Sequence, residues 1–187
     1  MRRRVAIRAA LLGLATAALI TPALAEWQAA PGNKLEARAE SAIGRIRAEV
    51  QESQMYFDDA YALAVWPGVT RVAVGFGGAY GKGLVIEQGQ AVGTVSLWQG
   101  SSGIQAGAKH FAMIIFFKDK EALDGLKRGD IQFTGQAGVD IATVGASATP
   151  AYNDGVAIIP LTNFGLMAEF SAAGTLFRYK PYDPDKR

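Results

Sequence analysis

From Val69 onward, glycine recurs within a run of β-branched and aromatic residues, and no other feature constrains the fold as much. The densest stretch is Gly75-Phe76-Gly77-Gly78-Ala79-Tyr80-Gly81-Lys82-Gly83. Glycines at alternating positions (75 and 77, 81 and 83) remove side chains from one face of a twisted strand, where bulges, bends or close backbone approach follow. The pattern predicts strands at Val69–Val74, Ala79–Glu87, Val92–Trp98, Lys109–Phe117, Ile131–Asp140, Ile141–Ser147, Val156–Pro160, Leu166–Ser171 and Thr175–Lys180. Glu87-Gln88-Gly89, Gly100-Ser101-Ser102-Gly103 and Asn153-Asp154-Gly155 read as turns.

Helices are expected elsewhere. Leu35, Ala39, Ala42, Ile43, Ile46 and Val50 recur at spacings of three and four, which predicts a helix over 34–52. Its polar face sets Lys34, Arg38, Arg45 and Arg47 against Glu36, Glu40, Glu49 and Glu52. A helix built for anionic lipid would be lopsidedly basic, so this one is expected to pack on the domain. A second helix is predicted from Phe57 to Val65, with Asp58 and Asp59 in its first turn and Pro67-Gly68 ending it. A third covers Asp119–Leu126, capped by Asp119. The fold class is therefore α+β: an N-terminal helix on an antiparallel, glycine-rich β-sandwich or partial barrel, with one further short helix.

The first 25 residues carry an address. Arg2, Arg3, Arg4 and Arg8 form a basic region, Ala9–Ile20 is apolar, and Ala23-Leu24-Ala25 is an A-x-A site, which predicts cleavage between Ala25 and Glu26. Twelve apolar residues are too few to span a bilayer, which takes roughly 20. The arginines hint at twin-arginine export, but the residues after them fit the general secretory route better. Removing the segment changes the charge: 19 basic and 17 acidic residues become 15 and 17, so a net +2 becomes −2. Nothing global then asks for nucleic acid. The absence of cysteine excludes disulfides, thiolate nucleophiles and a lipoprotein anchor. After a loose lead-in at 26–33, residues 34–187 are expected to form one domain, periplasmic or secreted.

Catalytic patterns fail on spacing. A P-loop would need glycine where Phe76 stands and Ser or Thr where Gly83 stands; a dinucleotide loop would need glycine at Tyr80. His110 is the only histidine. A hydrolase would have to pair it with Ser101 or Ser102 and an acid such as Asp119 or Asp140, without a G-x-S-x-G elbow. No acid set follows a calcium loop, and no metal or cofactor is expected. What remains is a non-enzymatic, apolar β domain. Arg71, Lys82 and Lys109, with Lys118, are the basic residues of the strand region that could meet a lipid head group.

Four blocks resemble the SYLF domain, a lipid-binding family with exported bacterial members. They are Ala60-Tyr61-Ala62-Leu63-Ala64-Val65-Trp66-Pro67; the glycine-rich stretch with Gly75, Gly77, Gly78, Tyr80, Gly81 and Gly83; Ser102-Gly103-Ile104-Gln105-Ala106-Gly107-Ala108; and Phe164-Gly165-Leu166-Met167-Ala168. Phe164 stands where that family usually has lysine, and Ala173 where it often has glutamate. The resemblance implies phospholipid or phosphoinositide binding without enzymatic activity. Some eukaryotic members also bind actin, which an exported protein would not meet. An envelope structural or protein-interaction module is the alternative, and the hydrolase built on Ser101 or Ser102 with His110 is the third.

Overall fold

The computed structural model describes residues 27–74, 76–102, 107–129, 152–162, 165–166 and 175–182. Helix α1 (Lys34–Glu49) starts where Asn33 accepts from the backbone N–H groups of Leu35 and Glu36. Ala39, Ala42 and Ile46 bury the apolar stripe that the sequence predicts. Glu36 corrects the expected polar face: it is buried, and it accepts from Ala30 N–H at 2.8 Å, Asn33 Nδ2 at 2.9 Å and the Tyr182 hydroxyl at 3.2 Å. These bonds offset the cost of burying a carboxylate and tie the helix start to the end of the domain.

The second helix differs from expectation. Helix α2 is Ser53–Asp59, so Asp58 and Asp59 lie in its last turn rather than its first. Strand β1 (Ala62–Val74) takes over the residues expected to continue the helix. Ala62 and Ala64 face one core while Leu63 and Val65 face the other. A short apolar run buried on both sides does not reveal by periodicity whether it is helix or strand. Pro67-Gly68, expected to end a helix, instead forms a bulge within β1, where the register against both neighbouring strands shifts. Proline is tolerated in a central strand only at such an irregularity.

The other elements are β2 (Phe76–Glu87), β3 (Gln90–Ser102), β4 (Gly107–Phe117), α3 (Lys120–Arg128), β5 (Val156–Thr162), β6 (Gly165–Leu166) and β7 (Thr175–Pro181). Asp119 caps α3 by accepting from Ala122 N–H, and Gly129 ends it in the left-handed region. Gln88-Gly89 and Asp154-Gly155 make the predicted turns, with positive φ at all four residues. Gly100 to Ser102 do not turn; they extend β3. The strands predicted at Ile131–Asp140 and Ile141–Ser147, and most of Leu166–Ser171, lie outside the described residues.

The sheet is antiparallel, in the order β6-β5-β4-β1-β2-β3-β7. Its central β4-β1-β2-β3 segment is a Greek key. Among the described residues it stays open, with β6 and β7 at its edges, and it curls. The rings of Trp66 on β1 and Phe177 on β7 lie 5.5 Å apart, although two strands separate theirs. In a flat sheet with strands about 4.8 Å apart the backbones at these positions would stand roughly 14 Å apart, so the two side chains lean toward each other across the curled sheet. Trp66 lies across β2 over Gly81 and Gly83, where a Cβ would meet its indole at 3.2 and 3.0 Å. The alternating glycines are thus the bed of a fully buried tryptophan.

Each face has its own core. The convex face packs Leu63, Leu84, Ile114, Phe116 and Ile159 under α1 and α2. The concave face packs Trp66, Leu97, Met113, Ile115 and Phe177, with Leu123 and Leu126 of α3. Near α3, Glu87 accepts from Lys127 Nζ and from the Tyr61 hydroxyl, both at 2.7 Å. Burial pushes the Glu87 carboxyl up, but these hydrogen bonds outweigh it and hold the group below its ordinary value. A carboxyl depressed on folding contributes stability above its unfolded pKa and loses it as pH falls through the folded one. Glu87→Gln is therefore expected to cost on the order of 1 kcal/mol at neutral pH. In urea melts the difference from wild type should shrink once the pH falls below the ordinary carboxylate range; a constant difference would rule this linkage out.

Candidate functional site

Strand pairing decides which side chains meet, and it builds one row across five strands of the convex face. His110 on β4 pairs with Thr70 on β1, Thr70 with Tyr80 on β2, Tyr80 with Trp98 on β3, and Trp98 with Leu176 on β7. Paired residues of an antiparallel sheet share a face. His110 is in phase with Ala112 and Ile114, and Tyr80 with Leu84 and Ile86, all four in the core under α1. Helix α1 packs against β1, β2 and β4. On β2, β3 and β7 this row is open to solvent: Tyr80 is 38% exposed, Trp98 55% and Leu176 68%. Val72, one step further along the same face, is 50% exposed. The Tyr80 and Trp98 rings meet at a tilt of 55° with centroids 4.5 Å apart.

A basic row runs beside the aromatic one. Lys82 pairs with Ser96, and Ser96 with Arg178, two residues along each strand from Tyr80, Trp98 and Leu176. That is a step of about 6.8 Å. Lys180 follows one step further, paired with Thr94. Lys82, Arg178 and Lys180 are exposed. Among the described residues, none of the three is in a salt bridge. The patch is therefore apolar and aromatic with a cationic border, on a chain that would be net acidic after cleavage at Ala25.

The concave face carries a different row. Lys109 pairs with Arg71, Arg71 with Ala79, Ala79 with Gln99, and Gln99 with Thr175. The Arg71 guanidinium reaches past the small Ala79 and donates to Gln99 Oε1 at 2.6 Å. Burial pulls Arg71 below its ordinary pKa, yet an arginine remains charged. The three basic residues singled out from sequence are therefore not brought together. Lys82 borders the convex patch, while Arg71 and Lys109 face the other way.

The remaining candidates are also dispersed. The backbones of Ser101 and Ser102 pair with Gly77 and Phe76, whereas His110 pairs with Thr70, and β1 and β2 lie between their strands. Gly75 and Gln105 lie outside the described residues, and Gly107 begins β4 with open space where its Cβ would be. No group of acids and histidine suited to a metal occurs among the described residues. Nor, among them, is any helix long and apolar enough to cross a membrane.

Sequence reasoning misses Leu176, Arg178, Lys180 and the outward role of Trp98. One signal could have found the last of these: Val95 and Leu97 bury the opposite phase of β3, which leaves Trp98 pointing out of step with the core.

No protein-family model matches the chain. Over 141 residues it is 26% identical to a protein named Beta cell expansion factor A from Aeromonas veronii, an alignment covering 74% of this chain and 53% of that protein. The chain thus spans about half the length of that relative.

Proposed function

We propose that this is an exported, non-enzymatic lipid-binding domain that docks on anionic phospholipid surfaces through the convex face of β2, β3 and β7. The observation that carries the reading is the exposed Tyr80–Trp98–Leu176 row beside Lys82, Arg178 and Lys180. Tyrosine and tryptophan favour the interface between head groups and acyl chains, because one end of each ring is apolar and the other polar. Each lysine or arginine near an anionic leaflet adds about 1 kcal/mol. The four blocks that resemble the SYLF domain point to the same class of ligand, and the A-x-A site points to export. Arg71 and Lys109 have no part in this contact.

The test is co-sedimentation of residues 26–187 with vesicles of phosphatidylcholine alone or of phosphatidylcholine with phosphatidylglycerol. Binding to the mixed vesicles that weakens as salt rises is the expected result. No binding to either vesicle would sink the proposal and leave the aromatic row as a surface for a protein partner, where tyrosine and tryptophan are also enriched.

A further inference from the structure

We infer that the convex face carries a second, deeper lipid contact, an acyl-chain shelf of Val72, Gly78, Gly100 and Ala108, and that the domain reaches it by docking at a tilt, with its α1 end raised. The inference rests on the docking reading above. Ala108 pairs with Val72, Val72 with Gly78, and Gly78 with Gly100. This row lies two residues beyond Thr70, Tyr80 and Trp98, a step of about 6.8 Å on the side away from Lys82 and Ser96. All four residues are exposed, Val72 by 50%. A Cβ on Gly100 would meet nothing within 4 Å. Along its strands the convex face therefore passes from a cationic row to an aromatic row and then to a row without a single polar side chain.

That order is the order of chemistry through one leaflet. Anionic head groups attract lysine and arginine, the boundary below them favours tyrosine and tryptophan, and the acyl chains accept apolar groups. One step of about 6.8 Å past the aromatic row falls within the roughly 5–10 Å to which interfacial proteins bury an apolar face.

Two features bound the tilt. Helix α1 packs on β1, β2 and β4 of this face, and its Arg38 lies over Gly68, just short of Thr70. A helix is about 10–12 Å across with its side chains. It stands taller than the aromatic row beside it and would hold a sheet lying flat away from the bilayer. The concave face sets the opposite limit. Arg71 and Lys109 pair at a level between the aromatic row and the shelf, and an upright sheet would carry both charges into hydrocarbon. A tilted sheet lowers the shelf into the acyl chains and keeps those two charges on the side facing water.

The chain has no cysteine, so each introduced thiol takes a single label. Gly100→Cys, Ser96→Cys and Thr94→Cys make a ladder down the convex side of β3, and Lys109→Cys marks the concave side. Each variant carries an environment-sensitive nitrobenzoxadiazole and is bound to phosphatidylcholine–phosphatidylglycerol vesicles. Nitroxide lipids then quench it either at the head group or within the acyl chains. Acyl-chain quenching should be strongest at the Gly100 position and head-group quenching at the Ser96 position, with little of either at the Thr94 and Lys109 positions. Equal depth at the Gly100 and Thr94 positions would mean flat docking, and a Lys109 position as deep as Gly100 would mean upright docking; either overturns the inference. Val72→Asp and Thr94→Asp add the same charge at two depths. The first should weaken vesicle binding about tenfold more than the second, and equal weakening also overturns the shelf. If the wild-type protein binds no vesicle, the docking reading itself fails and the shelf with it, whereas binding with a flat or upright depth profile overturns the shelf alone.

Discussion

Trp66→Ala is expected to lower the unfolding free energy by about 3–5 kcal/mol, the usual cost of deleting a fully buried tryptophan. Trp66 is 0% exposed, contacts Phe177 at 5.5 Å and fills the space above Gly81 and Gly83. Removing it leaves a cavity on the concave face that glycines cannot fill. The converse series is as informative. A Cβ on Gly83 would stand 2.6 Å from the Val65 carbonyl oxygen and 3.0 Å from the Trp66 ring. Because a backbone atom cannot step aside, Gly83→Ala should cost about 1–3 kcal/mol or more. At Gly81 the nearest obstacle, 2.9 Å away, is a methyl of the buried Val69, and the nearest backbone atom, the Gly68 carbonyl oxygen, is further off at 3.2 Å than the one at Gly83. At Gly100 nothing lies within 4 Å, so alanine there should stay within about 0.5 kcal/mol of wild type. Urea denaturation should rank the losses Gly83, Gly81, Gly100. Equal stability of the Gly83 and Gly100 variants would show that the glycine bed has been misplaced.

That ranking separates what the sequence expresses from what only the fold does. The glycine alternation announces a sheet with stripped faces, and strand pairing shows which stripped positions carry a load. Local signals are legible: the Asn33 and Asp119 caps follow from side chains that bond nearby backbone, and the Gln88-Gly89 and Asp154-Gly155 turns from residues that accept positive φ. Ala62–Val65 reads wrongly as helix because a strand buried on both faces loses its polar alternation. Its true state depends on β2 and β4 closing around it. The site is less legible still. Arg71, Lys82 and Lys109 are alike as basic residues of strands, and only parity and register put Lys82 on one face and the other two on the opposite one. Tyr80, Trp98 and Leu176 are far apart along the chain and meet only through two consecutive pairings.

If the convex row is the docking face, Trp98→Ala should weaken binding to phosphatidylglycerol-containing vesicles by roughly tenfold or more, the equivalent of losing about 1.5–3 kcal/mol of apolar transfer. The fold should be unharmed, because Trp98 is 55% exposed. Reversing two charges, Lys82→Glu with Arg178→Glu, should have the larger effect. Each reversal removes an attraction of about 1 kcal/mol and adds a comparable repulsion, so the pair should cost more than about a hundredfold on anionic vesicles and much of the salt dependence. Lys109→Gln serves as the opposite-face control, and its binding should match wild type. Tryptophan fluorescence gives a second readout. Of Trp27, Trp66 and Trp98 only Trp98 is highly exposed, so a blue shift on adding vesicles reports its entry into the interface. A wild-type shift together with unchanged binding of the charge-reversed protein would mean that apolar insertion alone drives docking. Weakening by Lys109→Gln but not by the double reversal would move the lipid surface to the concave side, where Arg71 and Lys109 pair.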